Sequence, residues 1–210
     1  MALPSRAKAA QYKKALPIGA FLFLFQSSIL TWIVFSRALG ADTFHALLDF
    51  VTIAGTTFLY SRNWVCEVAF KKSERRWLFV GVWSLGLGGV MVGGEALHHL
   101  LFGQTSGVPP AWPILVAALV GAVGNWWMHN ILDSVDDAEH DHLHKNNLDH
   151  VISDAALSLT VFISGCSMWY FQSMAIDSMI AVLVGLIVLP YFAIKRWRGA
   201  TLGLQHGHHH

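Results

Sequence analysis

Two stretches of this 210-residue chain carry the same pair of side chains at the same spacing: His45-Ala-Leu-Leu-Asp49 and His150-Val-Ile-Ser-Asp154. On a helix, an i to i+4 spacing puts both side chains on one face, one turn apart, with Cβ atoms about 5–6 Å from each other. If the two faces meet, two imidazoles and two carboxylates converge, a set of N and O donors suited to tetrahedral Zn²⁺. Two carboxylates neutralise one divalent ion. The empty site holds uncompensated charge and is expected to take up protons on its carboxylates or imidazoles when the metal leaves. Exchange of M²⁺ for protons is the basic requirement of a metal–proton antiporter. Either pair alone reads better as a local His–Asp hydrogen bond tying a helix to its neighbour; its repetition in two separate segments favours one shared site. Asp42 and Asp149 read as helix-end residues rather than ligands.

A second set of metal-attracting groups lies between them in the chain. Residues 133–147 hold His140, His142 and His144 among acidic neighbours such as Asp136, Asp137, Glu139 and Asp141. This segment reads either as a flexible loop that captures metal and passes it on, or as a solvated polar loop whose histidines bind metal incidentally. His98 and His99 are candidates to line an exit but read better as polar residues at an interface. The closing His206-Gly-His208-His209-His210 is native or a purification remnant. Cys66 and Cys166 form neither a disulfide framework nor a zinc knuckle.

The elements that position these residues are membrane spans. Apolar residues make up 54% of the chain and charged residues 13%, against about 45–50% and about 25% in soluble domains. A spanning helix needs about 20 mostly apolar residues to cross about 30 Å of hydrocarbon. Six stretches qualify: Ala15–Ser36, Asp42–Tyr60, Trp77–Phe102, Trp112–Leu132, Leu148–Trp169 and Met174–Ile194. The apolar core of the first is too long for a cleaved signal peptide, so it reads as a retained span. Of the 14 Lys and Arg residues, only Arg37 falls on one face of this arrangement, which predicts that both termini are cytoplasmic. Trp77, Trp112, Trp169 and Trp197 fall at predicted span ends, where indoles sit among headgroups. Pro190 is expected to bend the last span. Gly89 and Gly93 form a GxxxG that reads as close packing within one subunit or as a dimer interface. The expected organisation is a cytoplasmic tail over 1–14, a six-helix all-α transport domain over 15–195 and a short tail over 196–210. No long basic tract exists, so nothing points to nucleic acid.

At the paired motifs the sequence resembles the cation diffusion facilitator family of zinc and other divalent-metal transporters. The likeness rests on Ala41-Asp42-Thr43-Phe44-His45-Ala-Leu-Leu-Asp49 and on Asp149-His150-Val-Ile-Ser-Asp154-Ala-Ala-Leu-Ser158. Glu95-Ala96, Gly121, Asn125 and Asp177 add weaker support. The resemblance implies a transmembrane domain of that type, alternating access, and export of metal from the cytosol against inward protons. It also implies that His45, Asp49, His150 and Asp154 are the transport site. In this family a His/Asp/His/Asp set goes with zinc, and aspartate in place of the first histidine goes with broader choice, including Cd²⁺. Softer imidazole against harder carboxylate gives that trend a partial physical basis. Members commonly continue into a cytosolic C-terminal metal-binding domain that dimerises. That domain is expected to be absent here, so that a homodimer would be held by membrane helices, with membrane lipid as a further partner.

Two other functions compete. A non-transporting, metal-binding sensory subunit would use the same ligands without flux. An intramembrane metal hydrolase keeps an open zinc position beside three protein ligands, and no HExxH accompanies the two pairs. The compact form points to a bacterial inner membrane.

Overall fold

The computed structural model describes residues 6–33, 36–62, 67–102, 110–134 and 142–206. Among these residues all regular structure is helical: α1 Arg6–Trp32, α2 Arg37–Ser61, α3 Glu67–Phe102, α4 Trp112–Asp133, α5 His142–Phe171, α6 Met174–Leu183 and α7 Leu189–His206. A π-helical turn, Val184–Val188, joins α6 to α7, so that the last two helices form one rod.

Local chemistry sets several of these boundaries. Ser36 caps α2 by accepting from the Leu39 N–H, and Ser173 caps α6 by accepting from the Ala175 N–H. Pro113 stands in the first turn of α4, where its missing N–H leaves no carbonyl without a donor. A π-helical turn stands just before Pro190, at which a bend was expected. There the Leu189 N–H reaches back five residues to the Val184 carbonyl, a wider turn than the α-helical one.

Five helical segments are long and apolar enough to cross a bilayer alone: Ala7–Trp32, Val68–Phe102, Trp112–Asp133, His150–Phe171 and Ala175–Lys195. Of the six expected spans, α2 departs from this. Its 25 residues are long enough, about 38 Å at 1.5 Å per residue, but Asp42, His45, Asp49 and four threonines lower its apolar character. Most of those polar groups are buried, whereas Val51 and Phe58 of the same helix are exposed. The outward faces of the other helices carry Phe21, Leu24, Val123, Trp126, Leu159, Ile163 and Ile187. The bundle thus turns apolar side chains outward and keeps these polar groups inside, as an integral multi-pass membrane protein requires.

Helices α1, α2, α4 and α5 pack together, and α3 pairs with the α6–α7 rod along one side, touching α2. An apolar cluster at the end near the N terminus includes Tyr12, Tyr60, Phe70, Leu132 and Leu143. A second, at the opposite end, includes Ile29, Leu39, Ile114, Val161 and Met168. Residues 6–14, within the expected tail, are helical and form the first turns of α1, with Lys8, Ala9 and Tyr12 buried. Trp112, Trp169 and Trp197 are exposed. Trp77 departs from the headgroup role expected of it: it packs on the near-terminal cluster and lies against Gly55, where a Cβ would come within 2.7 Å of its ring.

The GxxxG of α3 is used inside the subunit. A Cβ on Gly89 would lie 2.7 Å from the Gly185 carbonyl oxygen, and one on Gly93 would lie 2.8 Å from Leu186. The π-helical turn therefore sits directly on the glycine face of α3. Gly94, one position on, has nothing within 4 Å of its Cβ position. Gly93→Ala should destabilise the protein by about 1–3 kcal/mol through overpacking. Gly94→Ala should leave stability unchanged or raise it by up to about 1 kcal/mol through helix propensity. Thermal unfolding of both variants in detergent checks this, and equal melting temperatures would contradict the packing.

Candidate metal centre

The inner faces of α2 and α5 carry polar side chains at helical spacing. On α2 they are Asp42, His45, Asp49 and Thr56; on α5 they are His144, Asn147, His150, Asp154 and Ser158. Because the two helices touch, these residues meet in layers along the bundle.

The middle layer holds the four residues singled out by the repeated motif. His45, Asp49, His150 and Asp154 are all buried, and one ligand atom from each lies within 4.8 Å of the others. Their contacts run mainly between the helices. His45 Nε2 meets Asp154 Oδ1, and His150 Nε2 lies 3.0 Å from Asp49 Oδ1. Within α5, His150 Nδ1 lies 3.3 Å from Asp154 Oδ2. The imidazole rings meet edge to face, with centroids 5.0 Å apart. The within-helix pairing expected from i, i+4 spacing is thus joined by crosswise pairing that binds α2 to α5. Beyond the imidazoles and each other, no group among the described residues hydrogen-bonds the oxygens of Asp49 or Asp154.

Two nitrogen and two carboxylate ligands match what a four-coordinate divalent ion takes. Bonds of about 2.0–2.2 Å place tetrahedral ligands about 3.4 Å apart. The four atoms here spread somewhat wider, so closing on an ion means side-chain rotation and release of the crosswise His–Asp contacts.

On the side nearer the N terminus a neutral layer closes over the site. Asn147 Nδ2 donates to Tyr12 Oη and to Thr56 Oγ1, both at 3.0 Å, and Tyr12 Oη lies 3.1 Å from His144 Nδ1. Tyr12 also meets Tyr60 edge to face at 5.2 Å. His144 is therefore a buried helix residue, not a member of a flexible capture loop. The α5 helix begins at His142, and continuing its turns carries His144 inward against α1. His140 lies outside the described residues.

On the other side Asp42 is also buried. It accepts hydrogen bonds from Gln26 of α1 and Ser158 of α5, which corrects its reading as a helix-end residue. Farther along, Asp177 of α6 accepts from Ser36 Oγ and the Arg37 N–H, both at 2.8 Å, and from Ser164 Oγ at 3.4 Å. It fastens the start of α2 to α5 and α6. Asn125 is buried on α4, whereas Glu95 and His98 are exposed on α3 and do not join the site. Sequence reasoning missed Tyr12, Gln26, Thr56, Asn147 and Ser158. The available signal was spacing: Ser158 follows Asp154 by four, and Asn147 precedes His150 by three.

Residues 18–191 match the family described as the cation efflux transmembrane domain. No curated protein matches the chain.

The neutral layer is testable by itself. Tyr12→Phe keeps the ring but removes the hydroxyl that accepts from Asn147 and meets His144. Leaving such buried groups short of a partner should lower stability by about 1–3 kcal/mol. Denaturation in detergent measures this, and an unchanged unfolding midpoint would rule the hydrogen-bonded layer out.

Proposed function

The chain belongs to the cation efflux family of membrane transporters, which move divalent metal ions out across the membrane, and from that premise we propose that it exports Zn²⁺ from the cytosol in exchange for protons. The transport site in this reading is His45, Asp49, His150 and Asp154. The observation that carries it is the meeting of these four buried side chains, two from each of two touching helices, inside a bundle with an apolar exterior. Two imidazoles beside two carboxylates suit zinc better than the harder divalent ions, with Cd²⁺ as a second substrate.

Proton coupling follows from charge. A divalent ion with two carboxylates is neutral, so the ion can be held at depth. When it leaves, protons neutralise the carboxylates or are shared with the imidazoles, because bare carboxylates at that depth are costly. Metal and protons thus compete for the same lone pairs. Alternating access then requires the site to open to one side at a time. Among the described residues, the Tyr12–His144–Asn147–Thr56 layer closes one side and the Asp42 layer together with the far apolar cluster closes the other. With the termini in the cytosol, the first is the loading side and the second the release side. The membrane of this reading is a bacterial inner membrane. In a homodimer held by membrane helices, which is part of the same proposal, the contact uses a face other than Gly89 and Gly93, since these are covered within the subunit.

Zinc flux into liposomes holding the purified protein tests this, with wild type beside Asp49→Ala and Asp154→Ala. Acid on the release side should speed export, and acid on the loading side should slow it by competing for the ligands. Both variants should lose flux by more than about 100-fold, since even changes outside the ligand sphere commonly cost about 10–100-fold. Tight zinc binding without flux in the intact protein would instead favour a sensory subunit. Hydrolysis that His45→Ala abolishes, in the absence of flux, would favour an enzyme.

Zinc should also stabilise the fold. At 100 times its dissociation constant it should add about 2.7 kcal/mol to the wild type, and nothing to Asp154→Ala. Equal thermal shifts in the two proteins would place the binding elsewhere.

A further inference from the structure

Helices α1 and α4 meet closely at two points. A Cβ on Gly124 of α4 would come within 2.5 Å of the Leu22 side chain, and one on Gly19 of α1 would lie 3.8 Å from Met128 and from the Phe50 backbone. Beside this contact the same two helices leave a groove of about 510 Å³. Pro17 and Phe21 form its α1 wall, Leu119, Val123 and Trp127 its α4 wall, and buried Leu22 its floor. The five wall residues are exposed, so the groove opens outward on the face that meets the bilayer.

Every side chain that lines the groove is apolar, apart from the indole N–H of Trp127. Its volume is in the range of small-molecule sites, about 300–1,000 Å³. Such walls suit a hydrocarbon chain, but they cannot choose among lipids, since all lipid tails are as apolar as the groove itself. Any preference must come from the groove's end.

That end lies at headgroup level. Gly19 stands against Phe50, the residue after Asp49, so Leu22 is level with the His45–Asp49 pair near the middle of α2. From Leu22 back to Lys14 and Lys13 is about 12–14 Å along the helix. Half of the hydrocarbon thickness is about 15 Å. The groove therefore runs within one leaflet, the one at the N-terminal end of α1, and the two lysines stand where its headgroups begin.

Lys14, Pro17 and Phe21 follow an i, i+3, i+7 course on α1, and Lys13 precedes Pro17 by four, so both lysines top the groove wall. Both are exposed, and among the described residues neither has a hydrogen bond or an ion pair. Asp133, the acid at the matching end of α4, is six positions beyond Trp127, about 240° round the helix, and so faces away from the groove. The α4 residues that do continue the Trp127 line are neutral Asn130 and Ile131.

We propose that the α1–α4 groove and Lys13–Lys14 bind one anionic phospholipid, with an acyl chain in the groove and the phosphate at the two ammonium groups. Two lysines without an acidic partner favour a lipid of net negative charge over a zwitterionic one, whose own cation would crowd them. The site rests on the chain spanning a membrane and on nothing about zinc or export. A lipid seated there braces α1, the helix that supplies Tyr12 and Gln26 to the layers on either side of the metal centre.

Native mass spectrometry of the full-length protein in neutral detergent, with added phosphatidylglycerol or phosphatidylcholine, counts the lipid retained. The wild type should hold one phosphatidylglycerol at least about tenfold more tightly than phosphatidylcholine. Lys13→Gln/Lys14→Gln should remove that preference and leave the two lipids equally weak. Val123→Trp, which fills the groove from an exposed position, should weaken both. Lys72→Gln/Arg76→Gln removes the same charge from exposed positions on α3 and should change neither. If this control lowers phosphatidylglycerol binding as much as the α1 pair does, the attraction is to overall positive charge and the site is rejected. If Val123→Trp retains phosphatidylglycerol like the wild type, no chain lies in the groove and the proposal fails. Thermal unfolding gives an independent reading, since a ligand of the folded state raises its stability. Phosphatidylglycerol should raise the midpoint of the wild type and not of Lys13→Gln/Lys14→Gln; equal shifts would overturn the site.

Discussion

Two carboxylates held at bilayer depth set the terms for the rest of this structure. Each costs at least about 2.5 kcal/mol to place there, and leaving either without a partner would be worse. Their partners are the imidazoles: His45 meets Asp154 across the helix interface, and His150 reaches both Asp49 and Asp154. Because those contacts cross from α2 to α5, satisfying them requires the two helices to touch. Any register shift of one residue would turn a carboxylate toward another neighbour or toward lipid. Helix pairing is therefore specified by electrostatics at the centre, while the apolar clusters at either end supply bulk packing with looser demands on register.

The constraint spreads along both helices. Residues a turn from a buried charge are themselves buried, and on α2 and α5 many of them are polar: Thr56 and Asn147 on one side, Asp42 and Ser158 on the other. Each layer recruits a partner from α1, Tyr12 in the first and Gln26 in the second. As a consequence α2 is too polar to cross a membrane by its own composition, and the surrounding helices must shelter it. The pair formed by α3 and the α6–α7 rod is built differently. Its contact is glycine against glycine and leucine. Such an interface depends on close van der Waals fit, and it adjoins the π-helical turn, a wider-wound stretch of the last rod.

Much of this was legible in the sequence because membrane spans and i, i+4 pairs are local features. Span placement needs only a run of apolar residues, and the repeated His–Asp pair needs only one helix face. What local patterns cannot supply is the neighbour. Nothing in the spacing of His45 and Asp49 says that each finds its contact on α5. Asp42 stands near a predicted span boundary and read as a helix end; α2 in fact begins at Arg37, which puts Asp42 inside the bundle. His144 follows a run of acidic and histidine residues typical of loops, but α5 starts at His142 and carries it against Tyr12. Trp77 fitted the pattern of a headgroup indole, and only the proximity of Gly55 on another helix explains why its ring turns inward. The GxxxG of α3 was equally open to two partners until Gly185 took that face.

The crosswise His–Asp contacts also bear on how tightly such a centre can hold an ion. A site whose ligands stood apart and unsatisfied would bind metal with its full coordination energy. In the proposed role an arriving ion must first displace His45 from Asp154 and His150 from its carboxylates, so its affinity is the coordination energy less the worth of those contacts. Every 1.4 kcal/mol spent in breaking them is tenfold in affinity. These contacts therefore lower affinity without changing any ligand. The same contacts reform when the ion leaves, so the empty centre never passes through a state with its carboxylates bare. Weakened binding and a stable empty state have one origin, the inter-helix pairing that also fixes the fold.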